Sequence, residues 1–109
     1  MSLNTALVTG SSSGIGRAIA QRLLADGWCV TGIDRAPAVI THERFVSLTA
    51  DLSDTAAVDR LAAELPTPQA LVHAAGVLRT APLGALQAED AQLMWALHAG
   101  AATRLANAL

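Results

Sequence analysis

The 109-residue chain contains no tyrosine and a single cysteine, Cys29. One cysteine cannot close an internal disulfide, which fits a reducing cytoplasm. Charge is scarce: 15% of residues are charged, against about 25% in typical soluble chains. The net charge is −2 and the basic residues are scattered, so no surface for a nucleic-acid backbone or an anionic membrane is expected. Apolar runs fall far short of the ~20 residues a membrane span needs. The N-terminus lacks the basic region, apolar core and cleavage site of a secretory signal. The three histidines and the cysteine show no metal-ligand spacing, so no metal is expected.

What is present is apolar chain, 52% of it hydrophobic, cut into short segments. Thr5–Thr9, "TALVT", is a short apolar run closed by Gly10 and predicts a buried strand. Ile15, Ala18, Ile19 and Leu23 follow at helical spacing, and Gly27 supplies the stop. "WCVTGI", Trp28 to Ile33, is a second buried strand ending at Asp34, and "RFVSL", Arg44 to Leu48, is a third. Between them, residues 35–43 hold a proline and little periodicity, which predicts an irregular connection. Ser53 or Asp54 can cap a helix with Val58, Leu61, Ala62 and Leu65 on its apolar face, ended by Pro66 and Pro68. Ala70–Ala74 is a fourth strand closed by Gly76. A last helix is predicted from about Gln87 to the chain end, with Leu93, Leu97, Ala101, Leu105 and Ala108 on one side.

Strands that are apolar throughout and alternate with helices predict an α/β fold with a parallel sheet covered on both faces. Right-handed crossovers give the spatial order 3-2-1-4, the first half of a doubly wound sheet. That order places "TGSSSGIG", Thr9 to Gly16, at the carboxyl edge, between strand one and helix one. Gly10, Gly14 and Gly16 let backbone turn and a ligand approach where a Cβ would collide. The helix start adds free N–H groups and the positive end of the dipole, which suits a pyrophosphate. The Ser11, Ser12 and Ser13 hydroxyls can add hydrogen bonds. The bland alternative is a plain turn. A P-loop is disfavoured, because this loop continues Gly16-Arg17-Ala18 where Gly-Lys-Ser/Thr is needed, and that counts against a mononucleotide hydrolase.

Asp34 follows Gly16 by about 18 residues, near the ~20 at which dinucleotide-binding units place an acid on the adenosine ribose. A carboxylate there repels a 2′-phosphate and favours NAD over NADP. Arg35 beside it could pair with that phosphate instead, and Asp34 could also be only a polar strand end.

Thr9-Gly10-x-x-x-Gly14-x-Gly16 resembles the cofactor motif of the short-chain dehydrogenase/reductase family. Asp51-Leu52, Ala74-Ala75-Gly76 and the helix around His98 match further motifs in order, over essentially the whole chain. The resemblance implies a Rossmann-type fold and an NAD(P)-dependent oxidoreductase acting on an alcohol or carbonyl. It places Gly10, Ser12, Ser13, Gly14, Ile15, Gly16, Asp34, Arg35, Asp51, Leu52, Ala74, Ala75 and Gly76 around the cofactor. Asp51 would bond the adenine amino group, with Leu52 near the ring. Read alone, Asp51 could be a carboxylate that merely precedes a helix.

Two positions depart from the family pattern. His73 and Ala74 stand where the family carries two asparagines, which removes those side-chain hydrogen bonds; His73 itself is read as a buried histidine satisfied by the backbone rather than as a ligand or base. His98 falls where the family carries a catalytic asparagine that holds a water. A one-residue shift would put Leu97 there instead, and a histidine packed on a helix flank is the bland alternative.

The family transfers hydride with a serine and a Tyr-x-x-x-Lys pair, which this chain lacks. It also ends within the apolar "LANAL" with no stop signal, and strand four would be a bare sheet edge. The chain is therefore expected to be the N-terminal, cofactor-binding portion of a longer cytoplasmic enzyme, homodimeric or homotetrameric when complete, and inactive alone. A non-catalytic dinucleotide-binding or scaffold module is the alternative.

Overall fold

The computed structural model describes residues 4–76 and 81–108. Four strands, β1 (Thr5–Thr9), β2 (Cys29–Asp34), β3 (Phe45–Thr49) and β4 (Ala70–His73), form one sheet in the order β3-β2-β1-β4. Every neighbouring pair is parallel: Leu7 lies opposite Thr31 on one side and Leu71 on the other, and Ile33 lies opposite Leu48. The expected fold, with its strand order and its helices on both faces, is the one observed.

Strand β1 shows why the sequence carries no alternation. Successive side chains of a strand point to opposite faces, and here both faces are covered. Leu7 packs into a cluster with Ile33, Leu52, Val58, Ala101 and Leu105. Its neighbour Val8 packs on the other side with Ala20, Leu24 and Val30. Helix α1 (Gly14–Ala25) therefore covers one face. Helix α2 (Thr55–Glu64) and the C-terminal helical segment cover the other. Residues 35–43 contain no helix or strand, as the lack of periodicity predicts.

The last helix departs from expectation. It is not continuous but consists of α3 (Ala88–Trp95), a π-helical turn (Ala96–Gly100) and α4 (Ala101–Ala108). Ala101 donates its N–H to the Ala96 carbonyl, five residues back. Its expected stripe holds at Ala101 and Leu105, both buried, and at Leu97, which packs against the same core. Ala108 is exposed, and the predicted final residue, Leu109, lies outside the described residues. No helix among the described residues is long and apolar enough to cross a membrane.

Burial of Leu105, rather than the exposed Arg104–Asp59 ion pair at 3.1 Å, anchors α4. Leu105→Ala is expected to lower unfolding free energy by about 2–5 kcal/mol, and Arg104→Ala by no more than about 1 kcal/mol. Urea unfolding of the two variants checks the ranking.

Candidate functional site

Where β1 ends, the Gly10 N–H bonds the Ile33 carbonyl at 2.7 Å, and the chain then doubles back. A Cβ on Gly16 would collide with the Gly10 carbonyl. A Cβ on Gly10, whose φ is +71°, would lie 2.7 Å from the Ala75 nitrogen and 2.9 Å from the Ala74 carbonyl. The loop is thus closed against its own start and against the turn that follows β4, and only glycine fits at both points. Gly14, by contrast, faces open space. The three serines divide. Ser11 is buried against Gly32 of β2, so its hydroxyl is not on the cleft as expected. Ser12 donates its hydroxyl to the Ala36 carbonyl at 3.4 Å, and Ser13 lines the cleft.

Helix α1 opens onto this loop with no side-chain cap at its N-terminus among the described residues. Ser13 holds the N-cap position, and no acidic residue lies in the first turn. Helix α2 is the internal contrast: Asp54 accepts the Ala56 N–H at 3.0 Å and closes that end. Helix α3 carries Glu89 and Asp90 in its first turn. Helix α3 also lacks a side-chain cap, so α1 alone of these three has neither a cap nor an acidic residue in its first turn. An anion is the matching charge for its amide donors and positive dipole end.

Asp34, at the end of β2, is drawn over the loop. Its Oδ2 accepts the Ser12 N–H at 3.0 Å and its Oδ1 accepts the Ala36 N–H at 2.9 Å. A carboxylate oxygen has two lone pairs, so each retains acceptor capacity toward a bound hydroxyl. Asp51, beyond β3, accepts both the hydroxyl (2.6 Å) and the N–H (2.9 Å) of Ser53 through Oδ1. These bonds, the hydroxyl's first, hold its carboxyl below the usual 3.8, and the Arg35 charge adds to the effect.

On the other side of β1, Ala75 donates its N–H to Thr9 Oγ1 at 3.1 Å, and that oxygen lies 2.8 Å from His73 Nδ1. His73 Nε2 reaches the Leu97 carbonyl at 2.8 Å. The imidazole thus makes two hydrogen bonds of its own, one to a backbone carbonyl and one to the Thr9 hydroxyl. His98, in the π turn, lays its ring against Gly76, where a Cβ would collide with it.

Between these walls lies a cleft of about 300 Å³. Gly10, Ser13, Asp34, Arg35, Asp51, Leu52, Ala74, Ala75 and Gly76 line it. Ser12, Gly14, Ile15 and Gly16 belong to the loop and the first turn of α1 but not to the cleft lining, and Ile15 is exposed. Ser53, Leu93 and Leu97 also line the cleft. Ser53 reads from sequence only as a helix cap and Leu93 only as a core position of a helix, while Leu97 is the one-residue-shift alternative to His98.

A family model described as "short chain dehydrogenase" matches residues 4–108. The chain belongs to the short-chain dehydrogenase family. It is 39% identical over 104 residues to the 2,3-dihydro-2,3-dihydroxybenzoate dehydrogenase of Escherichia coli, covering 90% of this chain and 41% of that protein. It is 35% identical over 101 residues to the serine 3-dehydrogenase of Agrobacterium fabrum, covering 83% of this chain and 41% of that one. The crystal structure of a short-chain dehydrogenase from Streptomyces avermitilis superposes with a TM-score of 0.89 at 29% identity, over 99% of this chain and 43% of the other. A Leptospira borgpetersenii short-chain dehydrogenase with bound NAD+ shares the fold, with a TM-score of 0.89 at 18% identity and coverage of 99% and 45%. The chain thus spans about two fifths of the length of the curated relatives it matches.

For this member of the family the geometry yields two expectations. Gly16→Ala should displace the loop from Gly10, with a lowered melting temperature and a loop movement visible by crystallography. Ser53→Ala should return the Asp51 carboxyl toward 3.8, as followed by carboxyl NMR titration. Asp51's small contribution to stability is complete above 3.8 and fades as pH falls through its lowered native value. In the variant, most of that acid sensitivity should disappear.

Proposed function

We propose that the protein is an NAD(P)-dependent oxidoreductase that transfers hydride between nicotinamide and an alcohol or carbonyl, and that these residues form its cofactor-binding part. The observation that carries the reading is the cradle: a glycine loop closed on itself, facing a helix terminus free of acidic residues, with Asp34 one strand away. These features fit a dinucleotide. The uncapped α1 terminus, with Ser13, Gly14 and Ile15, would hold the pyrophosphate. Asp34 would take the adenosine ribose, while Asp51 and Leu52 would take the adenine. Ala74, Ala75 and Gly76 would form the opposite rim. The nicotinamide ring supplies the hydride acceptor or donor. NAD is favoured over NADP, because Asp34 would repel a 2′-phosphate; Arg35 is the residue that opposes this preference.

In this reading His98 sits at the edge of the reaction site, where it would hold a water for the proton path. The chain contains neither tyrosine nor lysine, so the Ser and Tyr-x-x-x-Lys groups would come from outside these residues. The relatives support a small hydroxyl-bearing substrate: they are named as dehydrogenases of a dihydroxybenzoate derivative, serine and coniferyl alcohol. A cytoplasmic homodimer or homotetramer is the expected form of the whole protein.

Titration of NAD and NADP against the full-length protein tests the cofactor. Asp34→Ala is expected to weaken NAD by about tenfold, the scale of one charged hydrogen bond, while NADP weakens less or tightens. Equal loss for both would confine Asp34 to holding the loop. Full-length protein that binds dinucleotide but lacks the Tyr-x-x-x-Lys pair would instead be a non-catalytic binding module.

A further inference from the structure

His73 stands at the end of β4, is not among the residues lining the cleft, and links Thr9 at the end of β1 to Leu97 of the π turn. Its Nε2 lies 2.8 Å from the Leu97 carbonyl, and a carbonyl only accepts, so Nε2 carries the proton. In the neutral ring Nδ1 is then the acceptor, and Thr9, 2.8 Å away, donates its hydroxyl into it. The same hydroxyl oxygen accepts the Ala75 N–H. Every member of the chain Ala75–Thr9–His73–Leu97 uses each group in the sense it allows.

The far end of that chain is the π turn. In an α-helix the Ala101 N–H would bond the Leu97 carbonyl; here it bonds Ala96, and His73 takes up Leu97. The next residue, His98, rests on Gly76 of the rim.

We propose that His73 is a positioning residue whose bond to Leu97 holds the π turn, and so sets His98 on Gly76 and fixes the Ala74–Gly76 rim. Without that bond, Ala101 returns to Leu97 and the helix recovers α geometry. Removing the extra residue from the turn rotates the two sides of the helix by about 100° relative to one another, one residue's share of 3.6 per turn. His98 then leaves the rim. The binding readout below rests on the dinucleotide reading; the other two do not.

The test uses the full-length protein and three variants. Glutamine places an amide N–H near the Nε2 position and keeps the Leu97 bond. Asparagine reaches only the Nδ1 position and keeps the Thr9 bond. Leucine keeps neither. Imidazole ¹⁵N spectra of the wild type should show His73 protonated at Nε2 alone. Backbone chemical shifts of residues 96–101 should keep the π pattern in His73→Gln and revert to α in His73→Asn and His73→Leu. The NAD Kd should stay within about threefold in His73→Gln and rise about tenfold in the other two, the scale of one buried hydrogen bond.

A π turn that persists in His73→Leu, an Nδ1-protonated ring, or rescue by asparagine and not glutamine would each overturn the proposal. Should His73→Leu fail to fold, the glutamine–asparagine pair still decides. Wild-type protein that binds no dinucleotide would defeat the cofactor reading alone, leaving tautomer and helix geometry to decide this one.

Discussion

The backbone contact between Gly16 and the Gly10 carbonyl is the constraint on which the site depends. It brings the first turn of α1 back over the end of β1, so the helix axis points its amide donors across the carboxyl edge of the sheet. The same Gly10 lies against Ala74 and Ala75, which fixes the distance between the loop and the far rim. A side chain at Gly16 would open the first spacing and one at Gly10 the second. The burial of β1 on two faces makes this demand affordable. Ala6, Leu7, Val8 and Thr9 are all nearly inaccessible, and a strand so held gives the loop a rigid origin.

Charge is distributed to leave that helix end free. Asp34 is occupied with the Ser12 and Ala36 amides, which holds it beside the loop. Asp51 is tied to Ser53. Both remain acceptors, so they suit hydroxyl and amino groups. The uncapped helix suits a formal negative charge. A molecule with phosphate at one end and sugar and base hydrogen-bond donors at the other matches that arrangement better than either a free phosphate or a simple sugar.

Much of this was legible in the residues. The glycine spacing, the apolar strands and the α2 cap follow from local rules: Asp54 caps α2, and Pro66 and Pro68 lie just past its end. The strand order follows from handedness, and the order places Asp34 and the glycine loop at one edge. Less legible was anything set by tertiary packing. Ser11 differs from Ser12 and Ser13 only in facing Gly32, a contact between segments some 20 residues apart. Leu93 and Leu97 satisfy a helical stripe and a cleft wall with the same side chains, so periodicity could not separate the two uses.

The π turn marks the sharpest limit of local reading, and the reason is energetic. Residues 96–100, Ala-Leu-His-Ala-Gly, contain good helix formers with one glycine, and nothing in them disfavours a continuous α-helix beyond that residue's roughly 1 kcal/mol. The hydrogen-bond exchange in the backbone is itself near balance, so what holds the turn lies outside it, in the burial of Ala101 and Leu105 and in a donor for the Leu97 carbonyl. That donor is His73, some 24 positions away in sequence and on another element. Its own orientation depends in turn on Thr9, the last residue before the glycine loop. The departure from helical geometry and the substitution at the rim are therefore one feature, and neither is interpretable without the other.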